Sequence, residues 1–151
     1  MHDGISIGQA SAASGVKVTT IRYYEQVGLL AAPERTEGNR RTFDERDLDR
    51  LTFIRHSRGL GFDLDGIRTL LSLQDAPKQS CAEADSIAKA RLADVEQRIT
   101  SLVALKAELE RMVVGCSHGR VENCRVIEIL ADHGKCRHHQ HAEQVLLPPS
   151  P

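Results

Sequence analysis

Beyond residue 80 an apolar side chain recurs every third or fourth position: Leu92, Val95, Ile99, Leu102, then Leu109 and Met112, with Gly115 ending the run. That spacing returns to one side of an α-helix turn after turn and predicts a long helix with a narrow apolar seam. A seam of this kind has to be covered. The helix can fold back on its own domain or pair with the same helix of a second subunit. The rest of the chain is small and already supplied with helices, so pairing in a homodimer is the expectation, of either polarity.

At 151 residues the chain has room for one compact domain or for a small domain with a long helical extension. Aromatic residues are 3% with no Trp, and Ala, Leu, Arg and Glu dominate, which points to a mainly α fold. The formal net charge is −1, so no bulk field announces a nucleic-acid partner. Any DNA contact must come from Arg, Lys and Tyr placed locally. No apolar run approaches a membrane span, and Met1-His2-Asp3-Gly4 has neither a basic nor an apolar leader region. The expected location is the cytoplasm, where four cysteines stand as thiols open to metal rather than as disulfides.

Ile5 to Ala13 has the pattern of a short helix, broken at Ser14-Gly15-Val16-Lys17, where Gly accepts the positive φ of a sharp turn. A second helix follows through Ile21 to Gln26, with Thr19 a candidate cap and Gly28 a terminator. Two short helices across a four-residue turn have helix-turn-helix spacing. Ala31 to Phe43 is helix-poor, and Gly38-Asn39 can close a hairpin between charged arms, a wing. Asp44 and Asp63 are N-caps for helices over Glu45–Arg58 and Leu64–Leu73, with Leu48, Leu51, Phe53 and Ile54 turned inward. The organisation expected is a winged helix-turn-helix domain over 1–75, a linker and dimerisation helix over 76–114, a metal-binding loop and short helix over 115–132, and a Cys/His-containing tail over 133–151.

Val18, Thr20, Arg22 and Tyr23 lie at or near the start of the second helix, where a recognition helix meets base edges and phosphates. Lys17 on the turn and Arg40 and Arg41 on the wing add donors for flanking phosphates. Tyr23 and Tyr24 are adjacent and must face apart, so one of them belongs to the core, and Tyr24 is assigned there.

Cys116 and Cys124, separated by seven residues of a Ser-, His-, Gly- and Asn-containing loop, can fold over one ion. Two thiolates alone suit a linear monovalent ion. His118 either completes a tetrahedral site or is an exposed loop residue. Cys136, His138, His139 and His141 have the composition of a secondary metal cluster, or of a solvated tail.

Several ordered blocks resemble the signatures of the MerR family: Ile7-Gly8-Gln9-Ala10, Thr20-Ile21-Arg22-Tyr23-Tyr24-Glu25, Gly28-Leu29-Leu30, Arg35-Thr36-Glu37-Gly38, Leu51-Thr52-Phe53-Ile54-Arg55 and Leu60-Gly61-Phe62. The likeness runs from Ile5 to about Leu130. It implies a dimeric transcriptional regulator that bends and untwists promoter DNA on effector binding, realigning the elements that RNA polymerase contacts. It carries DNA roles onto Val18, Thr20, Arg22, Tyr23 and Arg41. Where family wings commonly place an aromatic residue and a Tyr around that Arg, this chain has Arg40 and Phe43, and Phe43 has no hydroxyl for a phosphate.

In the metal-sensing branch, divalent sensors carry Cys near the start of the dimerisation helix where copper(I) and silver sensors carry Ser, and Cys81 stands in that register. The resemblance therefore implies a site of Cys81, Cys116 and Cys124 drawn from two subunits, holding one Zn(II), Cd(II) or Pb(II), with Hg(II) also able to accept three thiolates. Regulation of metal-resistance or efflux genes is the implied output. The alternatives are a thiol-based redox sensor or a Cu(I) sensor of the same family. A zinc hydrolase is not expected, because a thiolate-rich site lacks the open water position and general base, and no His-Glu-x-x-His pairing occurs.

Overall fold

The computed structural model describes residues 4–32, 37–38, 41–116 and 118–135. Arg40, Cys136, His138, His139 and His141, all singled out above, lie outside these residues. The described chain is helical: α1 (Ile7–Ser14), α2 (Val18–Gln26), α3 (Glu45–Gly59), α4 (Leu64–Gln74), α5 (Ala82–Val114) and α6 (Arg125–Ala131). It forms two compact units, Met1–Ile87 and Ala88–Pro151.

In the first unit, α1 begins two residues later than its pattern predicts because Ser6 closes a capping box with Gln9. Gln9 N–H donates to the Ser6 hydroxyl at 3.3 Å, and Ser6 N–H to Gln9 Oε1 at 2.9 Å. Ile5 is left outside the helix and forms an antiparallel bridge with Phe43, two backbone bonds of 2.9 Å each. The turn is as expected: Gly15 adopts φ +70°, and the Ser14 hydroxyl donates to the Ala10 carbonyl at 2.7 Å while accepting from Val16 N–H at 3.2 Å. The predicted cap of α2 is corrected. Lys17 occupies the N-cap with extended backbone and no side-chain bond, and Thr19 lies inside the first turn. Gly28 at φ +72° turns the chain so that Leu29 and Leu30 N–H both reach the Tyr24 carbonyl.

Asp44 caps α3 in a reciprocal pairing with Asp47, and Asp63 caps α4 by accepting from Gly66 N–H at 2.7 Å. Burial raises the Asp47 carboxyl above the ordinary aspartate range, against the hydrogen bond from Asp44 N–H. Ile21, Leu29, Phe43, Leu51, Ile54, Ile67 and Leu71 are fully enclosed. At about 1.5–3 kcal/mol for each large apolar side chain taken from water, this core is the main force holding the small unit. Arg50 fastens its rim, donating from Nε to the Leu29 carbonyl and from Nη1 to Asp75, both at 2.9 Å.

The second unit begins within α5, at Ala88, and the 33 residues of that helix run without interruption. Leu92, Ile99, Leu102 and Leu109 of the seam are exposed, but Met112 is not: it is 7% exposed and packs against Ile129 of α6. Beside it on α5, Val113 is 71% exposed. Arg111 ion-pairs with the buried Glu108 and donates to the Lys135 carbonyl at 3.0 Å, while Lys135 Nζ meets Glu128 at 2.6 Å. These contacts fold α6 and the 3-10 turn His133–Lys135 back against the end of α5.

Candidate nucleic-acid interface and metal centre

The first turn of α2 carries no acidic residue, and its N–H groups have no side-chain cap. Such an end attracts phosphate through its unpaired donors and the helix dipole. Around it Lys17, Arg22 and Tyr23 are exposed, and Val18 and Thr20 half-buried. The tyrosine pair divides as expected, Tyr23 at 42% exposure and Tyr24 at 7%, their rings 6.0 Å apart. Burial raises the Tyr24 phenol above its usual value, so it is a neutral core group.

In the segment leading into α3, Arg41 is half-buried, and its Nε lies 3.2 Å from Oε2 of Glu25 on α2. Phe43 is 2% exposed and belongs to the core, which removes it from any phosphate. Sequence reasoning passed over Glu25, because a pairing across sixteen positions leaves no periodic trace.

Cys81, Cys116 and Cys124 are all free thiols. Cys81 is exposed immediately before α5, its carbonyl accepting from Asp85 N–H at 2.9 Å. Cys116 follows Gly115, half-buried, and its N–H bonds back to the Val113 carbonyl at 3.2 Å. Cys124 is half-buried at the N-cap of α6. Between them His118 takes φ +54° with its side chain exposed, so it serves the loop as a turn residue. Within a single chain no three Cys, His, Asp or Glu side chains gather around one point among the described residues.

Comparison with known proteins joins these features. The family model described as "MerR HTH family regulatory protein" matches residues 5–74, and that described as "MerR, DNA binding" matches residues 48–112. The regulator ZntR of Escherichia coli K12 is 41% identical over 128 residues, 82% of this chain and 90% of its own. The chain belongs to the MerR family. It is thus a helix-turn-helix transcription regulator that binds DNA, and not an enzyme. Among solved MerR-family structures, PbrR691 from Ralstonia metallidurans CH34 in complex with lead(II) is 37% identical, with a TM-score of 0.73 over 83% of this chain and 98% of that one. MerR from Bacillus megaterium MB1 in complex with mercury(II) is 29% identical, with a TM-score of 0.63 over 84% and 99%. Among the described residues no helix is long and apolar enough to cross a membrane.

Proposed function

We propose that this MerR-family chain is a metal-responsive regulator that binds promoter DNA as a homodimer and activates transcription by RNA polymerase when it takes up one soft divalent ion per site. Zn(II), Cd(II) and Pb(II) are the effectors the donor set suits, with Hg(II) a further candidate. Cys116 and Cys124 of one protomer and Cys81 of the partner subunit hold the ion. The observation that carries this reading is the trio of unpaired thiols flanking α5. A site of three sulfurs fits a thiophilic ion at trigonal or tetrahedral coordination, and a structural relative binds lead(II).

The helix explains why two chains are needed. Thirty-three helical residues separate Cys81 from Cys116, and a helix of that length is roughly 50 Å long. Thiolates at its two ends meet at one ion when two copies run antiparallel, a pairing that would cover Leu92, Ile99, Leu102 and Leu109 as well. Bound there, the ion would supply a cross-link between subunits, biasing the dimer toward one geometry. The chain's own groups do the rest: Lys17, Val18, Thr20, Arg22, Tyr23 and Arg41 grip the duplex, and a change in the spacing of two such faces bends and untwists it. His118, Cys136, His138, His139 and His141 are secondary candidates as metal ligands.

The test is promoter-driven transcription titrated with each ion. The wild-type protein is expected to respond to divalent ions and Cys81→Ser to lose that response. An unchanged response after all three cysteines are replaced sinks the proposal. Reversible Cys116–Cys124 disulfide formation that controls transcription without metal would transfer it to redox sensing.

A further inference from the structure

Two residues before Phe43, Arg41 lies on an arm whose end is fixed by the double backbone bond to Ile5. Alternate residues of an extended segment face the same side. Phe43 faces the core, so Arg41 is turned the same way and lies over α2, where Glu25 meets it. The contact is made by the guanidinium's inner nitrogen: Nε is 3.2 Å from Oε2, the Glu25 side chain is 9% exposed, and Arg41 is 35% exposed. Glu25 Oε1 is buried and has no hydrogen-bond partner among the described residues. A carboxylate buried with one oxygen unsatisfied is unfavourable for stability in itself. Its counterpart is a guanidinium whose Nε, rather than its outer fork, makes the short approach to the carboxylate.

We propose that Glu25 is a positioning residue of the DNA-reading face, holding Arg41 by Nε so that its Nη groups are presented to a phosphate beside the recognition helix. The pair also ties the segment before α3 to α2. This rests on the reading of Arg41 as a phosphate contact. Glu25 does not touch DNA in this arrangement; it acts through Arg41.

The sign of the effect separates this from plain electrostatics. Removing a negative charge from a DNA-binding surface by itself tightens binding. A positioning role predicts the opposite. The experiment measures affinity and its salt dependence for full-length wild type, Glu25→Ala, Glu25→Gln, Arg41→Ala and the Glu25→Ala/Arg41→Ala double variant, on a labelled duplex selected by the wild-type protein from a random pool. Arg41→Ala is expected to bind about tenfold more weakly, with the slope of log K against log salt reduced by about one. Glu25→Ala is expected to lose about three- to tenfold and move toward the same slope, with Glu25→Gln, which keeps an acceptor for Nε–H, falling between it and the wild type. The double variant should be no weaker than Arg41→Ala alone.

If Arg41→Ala leaves affinity and slope unchanged, the phosphate-contact reading fails and the proposal with it. If Arg41→Ala weakens binding while Glu25→Ala or Glu25→Gln binds as tightly as the wild type or tighter, positioning alone is overturned. A Glu25→Ala loss that adds in full to that of Arg41→Ala overturns it too. Should Glu25→Ala not fold, Glu25→Gln with an unchanged melting temperature decides the matter by the same criterion.

Discussion

In the unit Met1–Ile87 the large apolar residues converge: Ile21 of α2, Phe43 just before α3, Leu51 and Ile54 of α3 and Ile67 and Leu71 of α4 share one enclosed core. In the unit Ala88–Pro151 the buried apolar side chains among the described residues are Met112 and Ile129, and Leu92, Ile99, Leu102, Leu109 and Val113 face outward. The difference teaches which half can stand alone. The first contains the hydrophobic burial that offsets its own chain entropy, whereas the second exposes a stripe that the proposed pairing with another copy would bury.

The comparison can be broken most directly at Phe43. Phe43→Ala should cost about 3–5 kcal/mol in urea unfolding; a loss below about 1 kcal/mol would show that the segment before α3 is not part of that core. Next comes the seam. Ile99→Asp should weaken self-association by about 2–4 kcal/mol, on the order of thirtyfold or more, read by sedimentation across a concentration series, while leaving the first unit's unfolding intact. An unchanged dimer would remove α5 as the pairing surface. Met112→Ala should cost about 2 kcal/mol, confined to α6 and the end of α5, and hydrogen exchange should accelerate there without dissociation; dissociation instead would return Met112 to the seam. Asp44→Ala, which removes the cap of α3, should cost about 1 kcal/mol by the same unfolding assay.

The smallest effect expected is a pH dependence. Because burial raises the folded-state Asp47 carboxyl, its contribution favours folding below the unfolded aspartate value of about 3.9 and is lost as pH rises through the higher folded value. Asp47→Asn should flatten the wild-type stability curve in that acid window. A curve that keeps its full slope would assign the dependence to another group.

Much of the helical layout was legible because its signals are local. Asp44, Asp63, Gly15 and Gly28 act within four residues of themselves. The opposite fates of Tyr23 and Tyr24 follow from helical geometry alone. Local competition was harder to resolve: Ser6 displaced Ile5 from α1, and Lys17 rather than Thr19 starts α2, because the chosen cap depends on where the preceding turn leaves the backbone. At the candidate site, the exposure of Lys17, Arg22 and Tyr23 agrees with their place in the pattern.

By itself the order of residues determined the helices, their turns and a seam that calls for a partner, since each depends on neighbours three or four positions away. Only the tertiary structure decided that Met112 packs against α6, that Phe43 is core, and that Glu25 ion-pairs with Arg41. Those outcomes depend on contacts between segments distant in sequence, where periodicity is silent and the packing of one element against another makes the choice.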